Sequence, residues 1–322
     1  QTLSTYITQP TTCSTFMLNG QPRVFAINTI NGIYRAYNED RVSAVVNVKP
    51  RPSYARWPSC SFFAVYDGHG GPRCAEFLKD RLHELVLQNV NFPQHPLKAI
   101  KEGCAAAEAE FMALANSSAK IDNSGSCAIL LLFVDDLVYV ANVGDSRAIA
   151  SEHSGERIVP LSRDHKPDDA YERQRIVSQG GTVSKSKRPA RRDAPPSDAK
   201  ASANSPYRAY PSGLSVSRAF GDVKAKMRGT GGNPGVIIAT PEIKVYRLSS
   251  STDFILVGCD GVFDKCTNEE IVRTVWDCAH KNNNRRSGLA AVAVDHVLEK
   301  CMTNYSMDNL TTLIIDVKGI FS

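Results

Sequence analysis

Ser61-Phe-Phe-Ala-Val-Tyr-Asp67-Gly-His-Gly-Gly71 is an apolar run that stops at an aspartate and passes into glycines. A run this short, aromatic and aliphatic, reads as a buried strand. The same layout recurs in Leu137-Val-Tyr-Val-Ala-Asn-Val-Gly-Asp145 and in Phe254-Ile-Leu-Val-Gly-Cys-Asp260-Gly-Val-Phe-Asp264. A further acid, Asp308, stands with Asn309 just before the apolar run from Leu310 to Val317. A carboxylate at the end of a buried strand is held rigidly and is costly to leave unpaired. Several of them converging on one place need a strong positive partner, and a pair of divalent metal ions is the simplest. Oxygen ligands without His or Cys favour Mg²⁺ or Mn²⁺ over zinc. The leading expectation is a metal-dependent hydrolase.

Outward from these runs, Val24 to Ile33 and Val42 to Val48 also read as strands. Residues 1 to 22 are polar and Thr-rich, and read as an arm or a first edge strand. Pro72 to Val90 reads as an amphipathic helix, with Pro72 in the first turn and Ala75, Leu78, Leu82, Leu85 and Val86 at helical spacing. Pro96 to Asn116 is a second, Ala-rich helix. Cys127 to Val134 and Leu137 to Asn142 form a hairpin at Asp135-Asp136. Pro167 to Gln179 is a short helix closed by Gly180-Gly181. Asn268 to His280 and Ser287 to Met302 are two more helices, and Leu310 to Val317 is a last strand. Strands outnumber helices, and the helices come in two pairs far apart in sequence. The expected class is α+β, with antiparallel sheets covered by helices.

The 322 residues carry a formal net charge of +5. Between Ser184 and Ser212, seven cationic side chains face two carboxylates, so this one segment accounts for the whole excess. The rest of the chain is balanced, which excludes a general nucleic-acid-binding surface. The segment is rich in Pro, Ala, Ser, Lys and Arg and poor in large apolar residues, and reads as an inserted mobile loop. No run is long enough for a membrane-spanning helix. The nine cysteines are odd in number and unpatterned, which points to free thiols in a reducing compartment. The expected location is intracellular, cytoplasmic or nuclear. A targeting segment removed ahead of Gln1 is compatible with this sequence.

Taken singly, the motifs are ambiguous. Asp67-Gly68-His69-Gly70-Gly71 is equally a glycine-rich turn. Arg35-Ala-Tyr-Asn-Glu39-Asp40-Arg41 is a solvated charge cluster, or an arginine placed for phosphate beside two acids placed for metal-bound water. Asp260-Gly261 alone is a turn. Cys127 and Cys259 sit inside apolar strand patterns, where buried, inert thiols are expected rather than nucleophiles.

As an ordered series the motifs are specific. Arg35 with Glu39-Asp40, FFAVYDGHGG, SGSCA (124–128), VANVGDSRA (140–148), DHKP (164–167), ERQRIVSQGG from Glu172, LSVSRAFGD from Leu214, DFILVGCDGVFD and SMDNLTTLII follow one another along nearly the whole chain. The series resembles the metal-dependent protein phosphatases of the PP2C type. The resemblance implies a four-layer αββα sandwich in which two antiparallel sheets are flanked by pairs of helices. It also implies one phosphatase domain over 23–322, with a dinuclear Mg²⁺ or Mn²⁺ site between the sheets. The implied reaction is hydrolysis of phosphoserine and phosphothreonine in phosphoprotein substrates by direct attack of a metal-activated water. By position, Asp67 would bridge two metals, the Gly68 carbonyl would bind one, and Asp260 and Asp308 the other. Glu39 and Asp40 would hold coordinated waters, and Asp145 and Asp264 a weaker third ion. Arg35 would contact the substrate phosphate, and His69 would protonate the leaving oxygen. Lys185, Lys187 and Arg188 of the basic segment are candidate substrate-binding residues, and a monomer is expected.

Two positions depart from the family pattern. Cys127 stands where Thr is common, which bears on how the neighbouring acids are tuned. The basic segment replaces a shorter flap on the substrate side, which bears on substrate preference. A relative without activity would be expected to have lost a metal acid, yet Asp67, Asp260 and Asp308 are all present. A two-metal nuclease is a rival, but its only basic tract offers no stacking aromatics beyond Tyr207 and Tyr210.

Overall fold

Phe62, Ala64 and Tyr66 pack against two helices, while Phe63 and Val65 pack into a second core with Phe16, Phe25 and Phe133. Side chains alternate across a strand, so a strand buried on both faces reads as one continuous apolar run. The computed structural model describes residues 7, 9–51, 57–117, 121–185, 205–281 and 288–321. In it this strand, β4 (Cys60–His69), lies between β3 (Arg41–Val45) and β5 (Gly125–Val134), antiparallel to both. Beyond β5 come β6 (Leu137–Val143) and β12 (Glu242–Arg247), and the short β11 (Phe220–Gly221) pairs with the first residues of β5. Asp135 opens the β5–β6 turn in the left-handed region, at φ 51°.

The second sheet has the order β1 (Thr12–Leu18), β2 (Gln21–Ile30), β14 (Leu310–Asp316), β13 (Thr252–Gly258), β7 (Arg147–Glu152) and β8 (Arg157–Pro160), every pair antiparallel. Helices α1 (Arg73–Leu87) and α2 (Pro96–Ser117) cover the first sheet. The Asn268–Lys281 and Leu289–Thr303 helices cover the second. The layers are therefore helices, sheet, sheet, helices, as expected. Phe16, Phe25, Phe63 and Phe133 meet edge to face between the sheets, with centroids 5.1–6.3 Å apart. Such ring pairs add to the area that they bury.

Three differences from the sequence reading matter. First, β4 continues through Asp67 to His69, because Gly125, Ser126 and Cys127 continue β5 beside it and pair with those residues. Second, β7, β8 and β12 have no counterpart in the sequence reading. β8 and β12 are edge strands with no fully buried residue; β8 is four residues long, and β12 alternates Ile243 and Val245 with charged residues over too short a stretch to stand out. Third, the ends of the basic segment are paired: β9 (Thr182–Lys185) and β10 (Tyr207–Tyr210) form a two-stranded ribbon. Tyrosines suit a strand, and Ala209 is buried with Ile176, Val236 and Ile237. Residues 186–204, including Lys187 and Arg188, lie outside the described residues.

Candidate metal centre

Four strand ends and two loops bring the acids together. Asp67 lies opposite Cys127 in the β4–β5 ladder. Asp145 follows β6, and Asp260 opens the short Asp260–Phe263 helix just after β13. Carboxylate oxygens of Asp67, Asp145 and Asp260 lie within 4.8 Å of one another. The backbone N–H of Asp260 points at Asp67 Oδ2 (3.4 Å). Gly68 permits the approach of the neighbouring loop, since a Cβ there would overlap the Glu39 carbonyl.

The flanking acids are each held by a defined partner. Glu39 Oε1 accepts from the Gly71 N–H (2.6 Å), which ties it to the glycine loop. Asp40 is buried and accepts from the Thr311 hydroxyl (2.6 Å). Asp308 Oδ1 accepts from the Asn309 N–H (2.8 Å), and its Oδ2 is ion-paired with Arg35 (2.7 Å). Asn309 joins these loops. Its Oδ1 accepts from the Glu39 N–H, and its Nδ2 donates to the Asn31 and Tyr37 carbonyls. Asp264 faces outward, paired with Lys166 (2.7 Å). Lys185 stands in the ribbon, with its ammonium 5.4 Å from the centre of the Tyr207 ring.

The electrostatics reflect crowding of like charge. Burial, and then the carboxylates of Asp260, Asp40, Asp145 and Asp308, hold Asp67 well above the usual carboxylate range. Burial, and then Asp145, Asp308, Asp264 and Asp40, do the same to Asp260. Burial pushes Asp40 up to about 6 against the Thr311 hydrogen bond, and Asp145 up to about 6 against the Lys166 charge. With Asp40 and Asp145 buried and Asp67 and Asp260 half-buried, carboxylates this close are stable in the charged form only beside a strong positive charge. The donors are all oxygen, so the set fits hard divalent cations. Cys127 and Cys259 are buried, and burial followed by neighbouring aspartates raises both thiols well above their ordinary range. Cys127 Sγ lies 3.4 Å from Asp145 Oδ1.

His69 Nε2 lies 2.8 Å from Asp222 Oδ2. Burial opposes a charge on the imidazole, yet the Asp222 carboxylate prevails and raises its pKa above the ordinary value. Asp222 belongs to the LSVSRAFGD motif, but nothing local assigns it a partner 153 residues away. The bidentate pair of Arg147 with Asp164 (2.9 and 2.7 Å) and the pair of Lys166 with Asp264 had no sequence signal either.

The protein phosphatase 2C family model matches residues 37–310. The probable protein phosphatase 2C 2 of Arabidopsis thaliana is 31% identical over 286 residues, which cover 88% of this chain and 64% of that protein. The chain thus spans less than two thirds of that relative's length. The probable protein phosphatase 2C 6 of Paramecium tetraurelia is 29% identical over 97% of this chain and 99% of its own. The crystal structure of the serine-threonine phosphatase 2C from Toxoplasma gondii shares the fold. It superposes with a TM-score of 0.68 at 23% identity, over 95% of this chain and 99% of that one. No helix among the described residues is long and apolar enough to cross a membrane. From the order of its motifs, its paired sheets and the matched family model, this chain belongs to the protein phosphatase 2C family.

Proposed function

We propose that this chain hydrolyses phosphoserine and phosphothreonine in proteins by direct attack of water, with Mg²⁺ or Mn²⁺ held at the acidic cluster. The observation that carries the proposal is the convergence of Asp67, Asp145 and Asp260 at strand ends, with Asp40 and Asp308 close enough to shift them. Asp67, the Gly68 carbonyl, Asp260 and Asp308 would hold two ions, Glu39 and Asp40 their waters, and Asp145 with Asp264 a weaker third ion. Bound there, the ions would supply an acidified water as nucleophile and neutralise phosphate oxygens.

The chain's own groups supply the rest. Arg35 reaches the rim of the cluster and presents a planar fork of N–H donors that suits a phosphate. His69 stands beside the glycine loop, where an imidazole proton can reach the leaving serine or threonine oxygen. Lys185, Lys187 and Arg188 would favour phosphorylated segments with acidic neighbours. A phosphate-release assay on phosphoserine and phosphothreonine peptides, run beside a nuclease assay, tests the proposal. Release that depends on Mg²⁺ or Mn²⁺ and stops in chelator is the expected result. Cleavage of nucleic acid, or no phosphate release with either ion, would overturn it.

A further inference from the structure

We infer that Asp222 is a positioning residue that fixes the imidazole of His69 and assigns a task to each ring nitrogen. This inference rests on the phosphatase reading above. Asp222 Oδ2 lies 2.8 Å from Nε2, and the Asp222 residue is only 2% exposed. A carboxylate can only accept here, so Nε2 donates its hydrogen to Asp222. Nδ1 is then the nitrogen left to serve the leaving group.

The surroundings hold this arrangement in place. Asp222 sits in the left-handed region, at φ 54° and ψ 51°, which costs a non-glycine residue energy although Asp tolerates it better than most. Its N–H donates to the Ser124 carbonyl (3.0 Å), and its carbonyl accepts from the Ala225 N–H (2.8 Å). Just before it, Phe220 and Gly221 pair with Ser126 and Gly125 of β5. The Gly221 N–H donates to Glu108 Oε2 (2.9 Å), and Lys226 bridges Glu108 (2.5 Å) and the Ala219 carbonyl (2.7 Å). Gly125 is also the residue opposite His69 in the β4–β5 ladder. A Cβ on Gly125 would overlap both the Asp222 carboxylate and His69 Nε2. A missing side chain on β5 therefore opens the gap through which the pair forms. The parts come from four separate stretches of chain, and all bear on one ring.

In the reaction, the water oxygen bonds to phosphorus as the bond from phosphorus to the serine or threonine oxygen breaks. The departing oxygen takes the Nδ1 proton, and the proton shed by the water restores the imidazole. The Asp222 carboxylate holds the Nε2–H throughout and keeps Nδ1 aimed. This is the general arrangement in which a third group orients an acid or base.

The test compares wild type, Asp222→Ala and Gly125→Ala on a phosphothreonine peptide and on 4-nitrophenyl phosphate, both with Mn²⁺. A nitrophenolate leaves without help, whereas an alkoxide needs a proton. Both variants should lower the ratio of peptide to aryl phosphate kcat/KM by about 10- to 100-fold. Gly125→Ala keeps both residues of the pair and separates them, so it serves if Asp222→Ala folds poorly by circular dichroism. Nitrogen-15 NMR of labelled histidine should show the His69 hydrogen on Nε2 in wild type and no such preference in Asp222→Ala. An unchanged ratio in a folded variant, or a wild-type hydrogen on Nδ1 alone, would overturn the inference. His69→Ala separates the levels. If it alone lowers the ratio, the phosphatase reading stands and the Asp222 role falls. If it slows both substrates equally, the leaving-group role of His69 falls first.

Discussion

Arg35 and Asp308 are ion-paired across 273 residues of chain, with Nη2 2.7 Å from Oδ2, and the Arg35 Nε–H also donates to the Met307 carbonyl (3.2 Å). Both side chains are about half exposed, so the pair contributes at most ~1 kcal/mol to stability. Its consequence is positional: it places a guanidinium on the rim of the acidic cluster. Arg35→Ala should leave the urea midpoint nearly unchanged while raising the KM for phosphopeptides by about tenfold or more, as expected for a lost charge-assisted hydrogen bond of ~1.5–3 kcal/mol. An unchanged KM would remove Arg35 from phosphate binding.

Asp260→Asn and Asp308→Asn should each cut phosphate release by at least ~10²-fold, because several kcal/mol of charge stabilisation depends on the ions that they would hold. Chelator should do the same to wild type. Full turnover in chelator, or a wild-type rate in Asp260→Asn, would falsify the two-ion reading.

Cations that bind only the folded chain stabilise it by about 2.7 kcal/mol at 100 times Kd. For a chain of 322 residues a single such site should therefore raise Tm by roughly 4 °C. Differential scanning fluorimetry with and without Mn²⁺ measures this independently of activity. Asp260→Asn should lose most of the rise, and an equal rise in that variant would place the bound ion elsewhere.

His69→Ala should slow phosphoserine and phosphothreonine peptides by on the order of 10²- to 10⁴-fold and aryl phosphates far less. Steady-state kinetics on a series of aryl phosphates with leaving groups of rising pKa checks this, since the variant should show the steeper dependence. Parallel slopes for variant and wild type would make His69 a residue that shapes the site without donating a proton.

Glu172 ties the Ala170–Ser178 helix to Ser217 and Arg218. It is buried, and accepts from Arg218 (3.1 and 2.5 Å), Arg175 (2.9 Å) and the Ser217 hydroxyl (2.7 Å). Burial opposes its charge, but Arg218, Ser217 and Arg175 prevail and push its pKa down to about 2. A depressed acid stabilises the fold above its ordinary pKa of 4.5, and that contribution is lost as the pH falls through about 2. Glu172→Gln leaves buried Arg218 without its counter-charge and should cost about 3–5 kcal/mol at pH 7. The difference between wild type and variant should shrink as urea unfolding is repeated from pH 5 towards pH 2. A constant difference across that range would show that the charge of Glu172 is not what matters.

The strand that carries Asp67 and the strand that leads into Asp260 were legible because their patterns are local. β4 and β13 are buried along their length and read as unbroken apolar runs, and α1 shows its helical spacing openly. β8 and β12 were not legible, because an edge strand has only one protected side and tolerates charge there. The ribbon at Thr182–Lys185 and Tyr207–Tyr210 was hidden for a related reason. Four-residue strands at the ends of a polar segment carry too few apolar positions to stand out.

By itself the sequence determined the layers, the acids at the strand ends and the family, since each follows from residue type, short-range periodicity and motif order. Tertiary structure alone decided the partners. Asp145 joins Asp67 and Asp260, whereas Asp264 turns to Lys166; Arg35 meets Asp308; and His69 reaches Asp222 over Gly125. The reason is geometric. A periodic pattern shows which face of a strand is buried. The register of two sheets and the closure of loops across 98 to 273 residues show which atoms lie within 3 Å of one another.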